Sequence, residues 1–324
     1  MFMEWSLWVL SVLLSTPLTG NAYPPALPIS IPDQQVRPLR DLVQPSLQQR
    51  FERELKRNRL WANLVARKKM AVGVVDLSDP YNIKFASVNG DEMMYAASLP
   101  KLAILLASAQ ALEDGRLPET PEVLNDMRIM ISRSDNGAAT RMMDRVGFAN
   151  IVSVLIDPRY ELYDTELGGL WVGKRYAKTS KRYPDPLMGL SHGATITQVC
   201  RFYYLLAMGK LVSPQRSRQM LEMLCNPEIH HKFVKTLDRV APEAKVYRKS
   251  GTWRIWHSDS ALVWGPGGRQ YIIAALVEDS RGEQILRDLI PAIEAVLKPQ
   301  SKNQQRAATA AQASMPPLDG LLQK

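Results

Sequence analysis

A serine and a lysine three residues apart at the head of an apolar helix can make a nucleophile beside its own base. Ser98-Leu99-Pro100-Lys101 runs straight into Leu102 to Leu112, an unbroken series of strong helix formers. A helix opening near Ser98 sets the hydroxyl and the amine on one face. Pro100 is tolerated in the first turn, where a missing N–H costs nothing. Burial of such a helix disfavours the ammonium form and lowers the lysine pKa. A partly neutral lysine next to a serine is a general base next to a nucleophile, and the helix N-terminus favours an oxyanion developing there. A chain of this length should contain about one Ser-x-x-Lys by chance. Here it occurs once, and it opens an apolar helix.

Two further motifs follow in chain order. Ser134-Asp135-Asn136 sits in a polar break between two helical patterns. Ser134 can relay a proton to a leaving nitrogen, and the Asn136 amide can hold a substrate carbonyl and the lysine. Asp135 reads as an N-cap, and the plain alternative for the whole triplet is a capping turn. Lys249-Ser250-Gly251-Thr252 lies inside a strand pattern, where glycine often marks the close approach of another backbone or a ligand. Lys249 supplies positive charge, Ser250 and Thr252 offer hydroxyls to a carboxylate, and the N–H groups of Ser98 and Thr252 can form an oxyanion hole. Each motif alone has a structural explanation; the three together are far less expected by chance.

The elements that must position these residues can be read from hydrophobic periodicity. Residues 23–43 are rich in proline and read as a linker or an arm over the surface. Gln44 to Arg67 has the spacing of one amphipathic helix. Met70 to Leu77 and Ile83 to Asn89 read as two strands, and Lys245 to Trp253, Ser260 to Trp264 and Tyr271 to Glu278 as three more. Helical patterns fill the middle: Leu99 to Leu112, Pro121 to Ser132, Asn136 to Arg145, Asn150 to Leu155, Thr195 to Met208 and Ser213 to Leu224. Asp157 to Gly193 is a long irregular stretch, of a kind usually functional or flexible. Gly282 to Leu297 completes the pattern as an amphipathic helix.

The expectation is therefore an α+β fold. A five-stranded antiparallel sheet built from both chain ends is flanked by terminal helices and carries an inserted all-helical domain. The lobes are residues 44–97 with 245–297, and residues 98–244. A cleft between them is the expected ligand site. Residues 298–324 read as a disordered tail.

Length and composition agree with an exported globular protein. The 324 residues, 46% hydrophobic, suffice for a large core. Ser6 to Leu18 is an apolar run of signal-peptide length, with small residues at Gly20-Asn21-Ala22 for cleavage, so residues 1–22 read as a signal peptide and the mature protein as periplasmic or extracellular. The n-region carries Glu4 and no Lys or Arg, which leaves a retained anchor as the alternative. Cleavage leaves 41 basic residues against 31 acidic ones, a formal charge of +10. The basic clusters, Arg50 to Lys69 and Lys174 to Arg182, carry no nucleic-acid motif, so nucleic acid is not an expected partner. Cys200 and Cys225 do not make a disulfide framework, and buried free thiols are the default.

The three motifs together resemble those of the penicillin-recognising serine hydrolases, most closely the class A β-lactamase catalytic domain. The residues that carry the resemblance are Ser98 and Lys101, Ser134-Asp135-Asn136 and Lys249-Ser250-Gly251, with Gly193-Ala194-Thr195-Ile196-Thr197 opening a helix. It spans roughly Gln44 to Leu297 and implies a small β-lactam or peptidoglycan-peptide substrate, an acyl-enzyme on Ser98, and no metal or other cofactor. It leaves open a D,D-peptidase or transpeptidase on the same machinery, or a non-hydrolytic receptor.

The chain also departs from that pattern. Class A enzymes carry a deacylating glutamate within Glu-x-x-Leu-Asn, and Glu161-Leu162-Tyr163-Asp164-Thr165-Glu166 lacks it. Glu166, or failing it Glu161, is the candidate replacement. Among the remaining residues, His192, His230, His231 and His257 lack zincin spacing. His257 and Asp259 read as a turn near the cleft, and Trp171, Trp253 and Trp256 as cleft walls or packing.

Overall fold

The computed structural model describes residues 24–298; the expected signal segment and the tail from residue 299 lie outside the described residues. Helices α1 (Pro45–Arg57) and α2 (Arg59–Ala66) lead into strands β1 (Met70–Asp76), β2 (Lys84–Val88) and β3 (Met94–Tyr95). The central part holds α3 (Lys101–Glu113), α4 (Pro121–Ser132), α5 (Asn136–Val146) and α6 (Phe148–Leu155). The short strands β4 (Tyr163–Asp164), β5 (Gly168–Gly169), β6 (Trp171–Val172) and β7 (His192–Ala194) follow, then α7 (Ile196–Ala207), α8 (Pro214–Leu224) and α9 (Lys232–Val240). The chain returns through β8 (Lys245–Trp253), β9 (Trp256–Gly265), β10 (Arg269–Glu278) and α10 (Gly282–Leu297).

The five long strands form one antiparallel sheet in the order β2-β1-β10-β9-β8. Both faces are buried, as the near-continuous apolar runs of β1 and β10 require. Met70, Val72 and Val74 pack with α1, α9 and α10, whereas Ala71 and Val75 join the larger core with the helical part. Gly73 allows α7 to lie this close: a Cβ there would stand 2.5 Å from Ile196 Cγ2 and 3.2 Å from Cys200 Sγ. In α3 every residue from Lys101 to Leu112 is buried, so it is the axis of the helical part. Among the described residues no helix is long and apolar enough to cross a membrane, and both cysteines are free.

Several local expectations need correction. The single helix expected over Gln44 to Arg67 is two, because Asn58 leaves helical geometry and its side chain accepts hydrogen bonds from the N–H groups of Leu60 and Trp61. The helix expected near Ser98 begins at Lys101, after a tight turn in which Lys101 N–H bonds to Ser98 O at 3.3 Å. Pro100 is thus its N-cap. The stretch from Asp157 to Gly193 carries β4 to β6, and β7 spans its end; β3, β7 and β6 pair into a small sheet. Helix α9 lacks a counterpart among the expected elements, and β9 begins at Trp256, which puts His257 and Asp259 in a strand rather than a turn.

That shift in β9 matters for the sheet behind the cleft. Asp259 is fully buried and forms a two-pronged pair with Arg248 of β8, at 2.7 and 2.9 Å. It also accepts from Phe233 N at 3.1 Å, while Arg248 donates to Ile229 O at 2.8 Å, so the pair ties the start of α9 to the sheet. Removing one partner of a buried pair strands the other charge. Asp259→Ala is expected to lower the unfolding free energy by about 3–5 kcal/mol in urea titration; a loss under about 1 kcal/mol would show the pair to be dispensable.

Candidate active site

The three motifs meet where the sheet faces the helical part. β8 is the outer strand on that side, and Gly251 lets it approach the turn that precedes α3: a Cβ at Gly251 would stand 2.6 Å from Ser98 N and 2.5 Å from Ala96 O. Ala97, next to Ser98, has φ +52°, a left-handed geometry uncommon for a residue with a side chain. Ser98, Asn136 and Thr252 line a cleft of about 910 Å³, whose walls include Tyr176 and Trp256.

Behind Ser98 lies a lysine pair bridged by a hydroxyl. Lys101 Nζ is 2.6 Å from Ser134 O, 2.8 Å from Asn136 Oδ1 and 3.3 Å from Ser134 Oγ. Lys249 Nζ reaches the same Ser134 Oγ at 2.9 Å and Ser250 O at 2.6 Å. Ser134 is held for this at φ +57°, between α4 and α5, with Asp135 capping α5 by accepting from Ala138 N at 2.6 Å. Lys101 Nζ donates to Ser134 O, Asn136 Oδ1 and Ser134 Oγ, and Asp135 O is a fourth acceptor at 3.4 Å. Ser98 Oγ is not among its hydrogen-bond partners here, and catalytic contacts often tighten only when substrate binds.

Electrostatics weaken the ammonium form. Burial pulls the Lys101 pKa down from 10.5 to about 7, against partial support from Asp135. Lys249 is held well below the ordinary lysine value by burial, then by repulsion from Lys101 and Arg248. The arrangement can therefore move a proton from a serine to an amine, and through Ser134 between two amines.

Of the third motif, Thr252 lines the cleft as expected, whereas Lys249 and Ser250 are buried and do not. Ser250 turns its buried hydroxyl to His231 Nε2 at 3.3 Å, at the N-cap of α9, and does not line the cleft. Thr252 does line it, and its Oγ1 accepts from Lys232 Nζ at 2.7 Å. Lys232 also donates to Gly251 O and Ser258 O, at 2.6 and 3.1 Å, and burial lowers its pKa to about 8. Periodicity offers no signal for it: a lysine opening an amphipathic helix normally lies in water.

The structure does not bring the candidate glutamates to Ser98. Glu166 is exposed in the turn of the β4–β5 hairpin, where its backbone N–H bonds to Asp164, and Glu161 pairs with Arg201 at 3.1 Å. The physical reason is the Asx turn at Asp164, which closes a two-stranded hairpin and points its tip outward. Of the tryptophans, Trp253 and Trp256 line the cleft, whereas Trp171 packs with Phe148 and Tyr163.

The family model described as the β-lactamase enzyme family matches residues 54–124 and 118–298. The chain belongs to the β-lactamase enzyme family. Solved structures share its fold. A β-lactamase from Sphaerobacter thermophilus is 18% identical with a TM-score of 0.57, covering 74% of this chain and 97% of that one. A class A β-lactamase representative from Bacteroides cellulosilyticus is 16% identical with a TM-score of 0.58, covering 78% and 98%. A mutant of PBP-A, in an acyl-enzyme complex with penicillin G, is 21% identical with a TM-score of 0.55, covering 80% and 100%. No curated relative matches the chain.

At Gly251 the β-lactamase-like sheet and the Ser98 turn leave no room for added volume, because two of the three facing atoms are backbone and the third is Ser258 Oγ at 2.6 Å. Gly251→Ala is expected to cost about 1–3 kcal/mol in denaturant unfolding, as overpacking does. An unchanged midpoint would mean that the turn can move away from β8.

Proposed function

We propose that this family member is an exported serine hydrolase that opens the amide of a β-lactam, or of an acyl-D-alanyl-D-alanine-like peptide, by forming an ester with Ser98. The observation that carries this reading is the hydrogen-bonded series Lys101–Ser134–Lys249 directly behind Ser98. Lys101 takes the Ser98 proton as Ser98 Oγ bonds to the carbonyl carbon. The N–H groups of Ser98 and Thr252 receive the oxyanion. As the carbon–nitrogen bond breaks, Ser134 passes a proton to the leaving nitrogen. Asn136 positions the substrate amide, and Lys249 with Thr252 attracts its carboxylate. Glu166 has no step in this scheme.

Release is the slow half. Hydrolysis needs a base for the attacking water, and the two glutamates in the cleft wall, Glu92 and Glu278, are paired with Lys68 and Lys69, each at 2.8 Å. This favours behaviour of the penicillin-binding, D,D-peptidase kind over rapid β-lactam turnover. The purified protein should gain the mass of one intact penicillin G molecule, lose that adduct in Ser98→Ala, and hydrolyse nitrocefin slowly. Absence of any adduct without turnover would overturn the enzyme reading and leave a receptor cleft. Fast nitrocefin turnover would place an efficient water-activating group that the scheme lacks.

A further inference from the structure

Tyr176, on the long segment between β6 and β7, touches both the base and the turn of the nucleophile. Its ring centroid lies 4.5 Å from Lys101 Nζ, and its hydroxyl donates to Ala97 O at 3.3 Å. The ring is held from behind by His192, at 4.5 Å between centroids. His192 is itself fixed by Lys174 O and Ser191 Oγ, each at 3.1 Å. Desolvation raises the Tyr176 phenol well above its ordinary pKa, so it offers no phenolate near neutrality.

We infer that Tyr176 is a positioning residue that makes the acyl-enzyme long-lived, its ring keeping water from Lys101 while its hydroxyl fixes the Ala97–Ser98 turn. The inference rests on the acylation proposed above. Hydrolysis of the ester requires a water oxygen to bond to the acyl carbon, the carbon–Ser98 Oγ bond to break, and one water proton to pass by way of a base to Ser98 Oγ. With Glu92 and Glu278 in ion pairs, that proton is assigned to Lys101, the base that also takes the Ser98 proton in the attack step. A water must reach its lone pair, and the Tyr176 ring covers that amine. Ring and hydroxyl therefore have separable effects, one on release and one on attack.

The test compares the unsubstituted protein with Tyr176→Ala and Tyr176→Phe, using penicillin G, with adduct decay followed by intact-mass spectrometry and acylation rate measured against pH. Loss of the ring in Tyr176→Ala should shorten the adduct half-life by about tenfold or more, one logarithm of rate. It should also move the acid-side midpoint of acylation to higher pH, because a better hydrated Lys101 holds its proton more tightly. Tyr176→Phe should keep the half-life within about twofold, since the shield remains, and slow acylation. A purely structural loss would slow acylation and leave the midpoint and the half-life in place. An unchanged half-life in Tyr176→Ala, or equal shortening in both variants, overturns the inference. Absence of adduct on the unsubstituted protein overturns the acylation reading itself, and this one with it.

Discussion

Cations buried without matching anions are the constraint on which the site depends. Lys101, Lys232, Arg248 and Lys249 are all buried around the seam between the sheet and the helical part, and Asp259 is the buried carboxylate among them. Asp259 is committed to Arg248, the one of the four whose guanidinium stays charged under burial. The lysines meet the cost of desolvation through lowered pKa values, Lys101 to about 7, Lys232 to about 8 and Lys249 well below the ordinary value, and burial is the first cause in each. The same cost that would destabilise a charged interior thus prepares a base. Substrate carboxylate entering the cleft would return an anion to this region, so binding and protonation of Lys249 should be linked.

Rigid backbone keeps the lysines useful. The apolar axis α3 fixes Lys101, the cap of α5 fixes Ser134 and Asn136, and the sheet register, locked by the Arg248–Asp259 pair, fixes Lys249. Two of the nine non-glycine residues with left-handed backbone among the described residues lie at the serines: Ser134 itself and Ala97, beside Ser98. Such geometry persists where the surrounding structure over-determines it. Here Gly251 packs against one side of the Ser98 turn and Tyr176 bonds to Ala97.

Much of this was legible in the chain. Alternating and continuous apolar runs disclosed the five long strands and most helices, because sheet and helix periods are local properties. The motif residues Ser98, Lys101, Ser134, Asn136 and Lys249 converge because each sits at the head of an element or in a strand with fixed register. What periodicity missed is set by contacts distant in sequence. Lys232 is buried only because α9 leans on β8 and β9, and Tyr176 reaches Lys101 only because the small β6–β7 sheet folds its segment back. Glu166 illustrates the reverse: its place in the long loop suggested a base, and a local Asx turn directs it outward. His257 and Asp259 read as a turn because the polar residues of β9 are buried by pairing that no local pattern reveals.

The central claim is that Lys101 is neutral enough near physiological pH to act as a base. Titrating the protein carrying lysine labelled with carbon-13 at Cε, with the Lys101 resonance assigned through Lys101→Arg, reads that proton directly. The account predicts a midpoint about 7, whereas a midpoint near the 10.5 of a hydrated lysine would contradict it.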